Sequence, residues 1–184
     1  YPASWPTPVR EKDRDVLYAT WVLGQDYRNK TQLYGAYPPD YVNRIHALFP
    51  DRQSTLHAFS GVMPASEEYW RLDLVNRTGD TEAQGFKEGN VYDAVALFGQ
   101  QAFDLIVADP PYSDEDSKKY DTPTFKRIEA MAALAGTIQV GGHLVWLDTM
   151  WPIHSKEQWL TVGRICIIRS TNHRVRLASI FERV

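Results

Sequence analysis

The sequence predicts an α/β protein: a mostly parallel sheet closed by an antiparallel C-terminal hairpin. Three observations predict it. From residue 54 onward, strand-like apolar runs alternate with helix-periodic or irregular connections, the order that builds parallel crossovers. The run Phe103-Asp104-Leu105-Ile106-Val107-Ala108 is almost continuously apolar, as in a strand covered on both faces. Near the C-terminus, 164–169 and 174–181 are strand-like runs with only Ser170-Thr171-Asn172-His173 between them, and so short a connection requires antiparallel pairing.

The run 103–108 is the centre of the pattern because of how it stops. Asp109-Pro110-Pro111-Tyr112 follows at once. Neither proline can donate a ladder hydrogen bond, and each disfavours helix in the residue before it. Asp109 and Tyr112 are therefore expected just past the carboxyl end of a central strand, where open α/β sheets place ligands. An acceptor pair at such a place suits an exocyclic amine on a flat base. That nitrogen is a poor nucleophile while its lone pair is delocalised into the ring. Acceptors on its two N–H groups favour the tetrahedral form and free the lone pair. Asp109 supplies one acceptor and the Pro110 carbonyl a second, while the Tyr112 ring can stack on a base drawn out of its helix.

The tetrapeptide resembles motif IV of the S-adenosylmethionine-dependent amino-methyltransferases, which act on adenine N6 or cytosine N4. The resemblance implies a Rossmann-like class I methyltransferase fold over residues 34–184, with 1–33 as an N-terminal extension. It implies S-adenosylmethionine as cofactor and Asp109, Pro110, Pro111 and Tyr112 as the catalytic set, Asp109 also bordering the cofactor.

Taken in order, residues 1–8 hold three prolines and read as an extended lead-in. Residues 16–23 fit helix or strand, since their period does not decide, and Gly24 ends them. Tyr34 to Pro39 looks like motif X of some amino-methyltransferases, which borders the cofactor pocket. Pro39 or Asp40 then opens a helix with Val42, Ile45 and Phe49 at helical spacing, stopped by Pro50. Residues 54–59 read as the first core strand, and Phe59-Ser60-Gly61 resembles motif I of the same family. Gly61 matches its first glycine, where a Cβ would obstruct the chain's passage under the cofactor. Met63 stands in place of the second glycine. Too few residues then precede the next strand, 70–75, for a normal crossover helix. Asp73 falls where nucleotide-binding α/β folds place a carboxylate for ribose hydroxyls. Residues 76–88 are polar, a loop with at most a short third strand. Gly89-Asn90 stands where the family has Gly-Asp, so Asn90 is expected to meet the cofactor's adenine, with Asp93 as the alternative.

Residues 113–120 form a charged loop. Thr122 as N-cap and Pro123 at the first position open a helix whose buried face is Phe125, Ile128, Ala132 and Ala135. Gly141-Gly142 turns the chain into a strand at 143–148. Asp148 and Trp151 leave its carboxyl end toward the pocket, Trp151 as a base-stacking candidate. A short helix at 155–160 precedes the closing hairpin.

With 184 residues the chain is long enough for a single sizeable core. Its net charge of −3 argues against a stand-alone grip on polyanions. The charge is uneven, however: 51–100 is acidic, whereas Lys156, Arg164, Arg169, Arg174, Arg176 and Arg183 make the C-terminal stretch basic. Arg174 and Arg176 share one strand face and are expected on the substrate side. Cys166 is the only cysteine, which excludes an intramolecular disulfide and suits a reducing compartment, the cytoplasm. No run is long enough to span a bilayer, and no metal-ligand spacing is present.

The expected activity is methyl transfer to a nucleobase amino group, adenine N6 in DNA first. The partner is nucleic acid, DNA favoured over RNA, with no membrane. Because no separate target-recognition domain is visible in 34–184, specificity falls to loops, to substrate structure or to a specificity subunit. The alternatives are an RNA base methyltransferase (adenine N6 or guanine N2) and a non-catalytic binding subunit that keeps the fold.

Overall fold

A computed structural model describes residues 7–11, 14–24, 37–38, 40–111, 125–170 and 174–184. Their strands are β1 (Thr7–Glu11), β2 (Arg14–Leu23), β3 (Thr55–Ala58), β4 (Trp70–Asp73), β5 (Phe86–Glu88), β6 (Phe103–Ala108), β7 (Ile138–Asp148), β8 (Trp159–Arg169) and β9 (Val175–Arg183). All belong to one sheet, in the order β1-β2-β8-β9-β7-β6-β3-β4-β5. β5, β4, β3, β6 and β7 run parallel, and β9 pairs antiparallel with both β7 and β8. The parallel sheet closed by a C-terminal hairpin is thus as the sequence predicts.

The ambiguous segment 16–23 is strand. As β2 it lies parallel to β8, and β1 folds back on it antiparallel. Trp21 and Leu23 are buried beside Ile165 and Ile167, so alternation on an apolar sheet face decides between helix and strand.

Three helices cover the sheet among the described residues: α1 (Tyr41–Leu48), α2 (Ala94–Phe98) and α3 (Arg127–Thr137). α1 packs on one face, its Tyr41 and Ile45 closing over Leu105, Val107, Val145, Leu147, Ala178 and Ile180. On the other face, residues of α2 and α3 share a core with Leu56, Leu72, Ile106, Leu144 and Trp146. Successive residues of β6 therefore enter different cores: Leu105 and Val107 one, Ile106 and Ala108 the other. This is why its sequence is apolar almost throughout.

Several local expectations are corrected. α3 begins at Arg127, and Thr122 and Pro123 lie outside the described residues. Its buried face is Ala130, Met131, Leu134 and Ala135, whereas Ile128 is 52% exposed and Ala132 is also exposed. An ion pair from Arg127 to Asp148 ties the start of the helix to the end of β7, with this face on the sheet. Gly141 and Gly142 do not separate two elements; they form a bulge within β7, where the register to β6 shifts between Phe103 and Leu105. A Cβ on Gly142 would come within 3.0 Å of the Asp104 carbonyl and 2.9 Å of Gln139, so the bulge requires glycine. The helix expected at 155–160 is a single turn, with Gln158 and Trp159 N–H both donating to the Ser155 carbonyl. It stops there because Trp159 is drawn into the core, its indole N–H donating to the Met131 carbonyl at 3.3 Å.

Between β3 and β4 there is no helix, as the short spacing predicts. A fully buried arginine braces that irregular crossover. Arg71 donates from Nη1 to the Met63 carbonyl at 2.7 Å and to Asp80 at 2.6 Å, and from Nη2 to the Gln84 carbonyl at 2.9 Å.

Candidate functional site

The sheet's strand order reverses between β3 and β6. The chain moves outward from β3 through β4 to β5, then returns to β6 and continues the other way to β7. A crevice opens at such a switch point beyond the carboxyl ends of the two strands, and two of the expected motifs lie there. Phe59-Ser60-Gly61 leaves β3, Asp109 leaves the neighbouring β6, and the Asp109 N–H donates to the Ala58 carbonyl at 3.4 Å.

The loop after β3 is shaped by backbone conformation. Phe59 has φ 59° and Gly61 φ 57°. For phenylalanine the left-handed region is strained, and such residues cluster at ligand-contacting loops. Phe59 is held there by its ring, which meets Phe125 edge-on at 5.2 Å and Trp146 at 6.3 Å. The Gly61 N–H donates to Asp73 Oδ2 at 2.7 Å. Asp73 ends β4, and its carbonyl accepts from Gly89 N–H at 2.9 Å. Asn90 follows, its side-chain oxygen accepting from Tyr92 N–H at 3.2 Å. Phe59, Ser60, Gly61, Asp73 and Asn90 are therefore tied together by the fold on one side of the crevice.

On the other side stand Asp109 and Arg176. Arg176 reaches from β9 and brings Nη1 to 3.8 Å from Asp109 Oδ2. Pro110 is buried and Pro111 half-buried behind the acid, while Tyr112 lies outside the described residues. Two phenols, Tyr41 buried and Tyr37 half-buried, sense the same carboxylate. Burial raises Tyr37 and Tyr41 well above the ordinary phenol range; the Asp109 charge adds to both shifts, and Arg176 opposes it at Tyr41. Tyr37 donates to the Val107 carbonyl at 3.3 Å, which docks the Tyr37-Pro38 turn against β6. Next to it a cleft of about 390 Å³ runs between α1 and the β3–β4 crossover, lined by Tyr37, Ser60, Val62 and Met63 among others. The Ser60 hydroxyl is buried there without a protein hydrogen-bond partner.

His57, Tyr69 and His46 continue this wall. The His57 ring is edge-on to Tyr69 at 4.8 Å and lies 5.5 Å from His46. Burial, reinforced by the nearby charges of His46 and Arg52, pushes His57 down to about 3. It is a neutral core imidazole at physiological pH.

The remaining predicted positions lie elsewhere. Asp148 does not face the crevice: it is fully buried toward α3, accepting from Arg127 Nε at 2.6 Å, Trp146 Nε1 at 3.3 Å and Thr149 N–H at 2.6 Å. Trp151 is exposed, with the Arg164 guanidinium 5.6 Å from its ring. Alternation along β8 and β9 puts Arg164 on the face opposite Arg176, so Trp151 is not brought to the Asp109 side. Arg174 is exposed just ahead of β9. Sequence reasoning missed Arg71 and Arg127. A cation inside the short strand 70–73 is the signal for Arg71, because a buried strand tolerates it only with partners. Among the described residues no cluster of acids, histidines and cysteine forms a metal site, and no helix is long and apolar enough to cross a membrane.

The strand order, the crevice between β3 and β6 and the closing hairpin together define the class I methyltransferase fold. Solved structures share it. TrmN from Thermus thermophilus superposes with a TM-score of 0.56 at 11% identity, over 82% of this chain and 50% of its own, so the chain spans half the length of that protein. The 1,6-didemethyltoxoflavin-N1-methyltransferase of Burkholderia thailandensis, solved with that compound and S-adenosylhomocysteine, superposes with a TM-score of 0.54 at 12% identity, over 77% of this chain and 76% of its own. At these identities the likeness is one of fold. No protein-family model matches the sequence, and no curated protein matches it.

Proposed function

We propose that the protein transfers a methyl group from S-adenosylmethionine to a nucleobase exocyclic amine, adenine N6 in DNA first. The observation that carries this reading is the seat of Asp109-Pro110-Pro111 at the carboxyl end of β6, across the switch-point crevice from the Gly61–Asp73 loop. The crevice suits the cofactor in three respects. Gly61 keeps the loop free of a Cβ, Asp73 offers a carboxylate for ribose hydroxyls, and the partnerless Ser60 hydroxyl faces a cleft that Tyr37 and Met63 also line. Phe59 and Asn90 complete the holding set. When bound, the cofactor supplies the methyl group as an electrophile.

The residues of this chain do the rest. Asp109 accepts a hydrogen bond from the target amine and the Pro110 carbonyl accepts a second. Both bonds strengthen as the nitrogen becomes tetrahedral and positive, so they favour the transition state over the ground state. Neither acceptor has to be a strong base, because the methylated amine can lose its proton afterwards to water. Tyr112 stacks on the base, with Arg174 and Arg176 on the substrate side in this reading, whereas Trp151, on the opposite face of the hairpin, takes no part in it. A second reading, a small nitrogen heterocycle as acceptor, draws support from the compound bound in the Burkholderia enzyme. Sequence selection on DNA falls to loops, to substrate structure or to a specificity subunit.

The test is incubation with methyl-labelled cofactor and, in parallel, DNA, RNA and small heterocycles, followed by mass spectrometry of the product. N6-methyladenine in DNA is the expected result. Label in RNA alone or in the heterocycles alone changes the substrate class. Label nowhere, with no cofactor binding by calorimetry, identifies a binding protein that keeps the fold.

A further inference from the structure

Arg176 pairs with Asp109 from an unusual direction. β9 is separated from β6 by β7, so the guanidinium must cross the end of β7 to reach the acid, a span of roughly 10 Å at ordinary strand spacing. Its base does not lie in a loop. Arg176 is inside β9, registered against Ile167 of β8, and Ala178 on the same face is buried under the α1 core. Both charged side chains are largely screened from water, at 21% and 11% exposure. Tyr41 lies close enough for both charges to act on it, with opposite sign. The two ends of the contact are thus held by different parts of the fold: Asp109 by the proline pair after β6, Arg176 by the closing hairpin.

We infer that Arg176 is a positioning residue for Asp109, not a phosphate-gripping residue. The ion pair sets the plane of the carboxylate over the crevice. The inference rests on the proposed methyl transfer and refines its substrate-side assignments. Of the two arginines expected to meet nucleic acid, exposed Arg174 remains a surface contact, whereas Arg176 acts through Asp109. The hairpin that closes the sheet is then also what orients the acceptor.

A double-mutant cycle on the full chain tests this. Single-turnover transfer at saturating cofactor and substrate is measured for the parent, Arg176→Met, Asp109→Ala and the double variant, with Arg176→Lys as rescue. Calorimetric cofactor binding and melting temperatures serve as controls. Arg176→Met should slow transfer by roughly ten- to a hundredfold, the loss that slight misplacement of a reacting group brings. Arg176→Lys should recover most of it. In the Asp109→Ala background Arg176→Met should add less than about twofold, because residues acting as one unit are not additive. The salt dependence of nucleic-acid binding should be the same in Arg176→Met as in the parent. A parental rate for Arg176→Met, or a full additive loss in the double variant, overturns the inference. So does a salt slope shallower by about 0.9 with the rate unchanged, which would make Arg176 a phosphate contact. If instead Asp109→Ala transfers at the parental rate, the proposed chemistry itself fails, and this inference with it.

Discussion

Asp109 and Asp148 leave the carboxyl ends of adjacent parallel strands, and the fold uses them in opposite ways. Ala108 of β6 pairs with Trp146 of β7, so the two acids stand within one residue of the same level. Alternation sends them to different faces. Asp148 continues the Trp146 face, is fully buried, and gives its oxygens to Arg127, the Trp146 indole and Thr149. Asp109 continues the Val107 face and meets Arg176 at 3.8 Å beside the crevice. The difference shows that an acid at a strand end is a candidate for chemistry only if the fold has not already used it to fasten a helix. Asp148 fastens α3; Asp109 borders the loop that ends in Gly61.

The sharpest separation of the two acids is in stability. Asp148→Ala removes the acceptor that Arg127 Nε and the buried Trp146 indole N–H share, and should lower unfolding free energy by about 3–5 kcal/mol. Asp109→Asn should change it by less than about 1 kcal/mol, because asparagine keeps the shape and an acceptor oxygen and the Arg176 contact is long at 3.8 Å. Urea titration of both variants measures this directly, and equal losses would erase the distinction.

A third strand-end acid, Asp73, extends the comparison to the cofactor side. Asp73→Ala should weaken S-adenosylmethionine by about ten- to a hundredfold in calorimetry, equivalent to roughly 1.5–3 kcal/mol. Unchanged affinity in a folded protein would remove Asp73 from the site.

The face that carries Asp109 also carries the depressed histidine. His57 titrates near 3 when folded and near 6.5 when unfolded, so between those values the unfolded chain binds a proton that the folded chain does not. Its contribution is complete above pH 6.5 and falls as pH drops toward 3, by up to about 1.4 kcal/mol per pH unit. His46 and His143, also lowered chiefly by burial, act with the same sign. His57→Phe should reduce the acid slope of stability by up to about one proton. An unaltered slope would mean that His57 is hydrated. The smallest effect belongs to the surface: Arg174→Ala should shallow the salt dependence of nucleic-acid binding by about 0.9 and leave saturating turnover unchanged.

Much of the fold was legible because burial leaves a period. The doubly covered strand 103–108, the hairpin of β8 and β9, and the missing crossover helix after Gly61 follow from apolar runs and spacing alone. The 16–23 segment was not legible, since its pattern fits either period until β8 is there to pair with it. The rotation of α3 was hidden for a similar reason: the helix is seated by contacts distant in sequence, among them that between Arg127 and Asp148, 21 residues apart. The Asp109 end of the crevice was readable from the prolines that stop β6, whereas the Gly61 end came through the resemblance of Phe59-Ser60-Gly61 to motif I. Arg176 at Asp109 was not, because pairing across an intervening strand leaves no local signal.

The most direct measurement of the central claim is single-turnover methyl transfer by Asp109→Ala, run beside calorimetric titration of the cofactor. If Asp109 is the acceptor that steadies the target amine, cofactor affinity stays within a few-fold of the parent and the rate falls by about 10²–10³. A variant that binds cofactor and transfers the methyl group at near-parental rate would contradict the account.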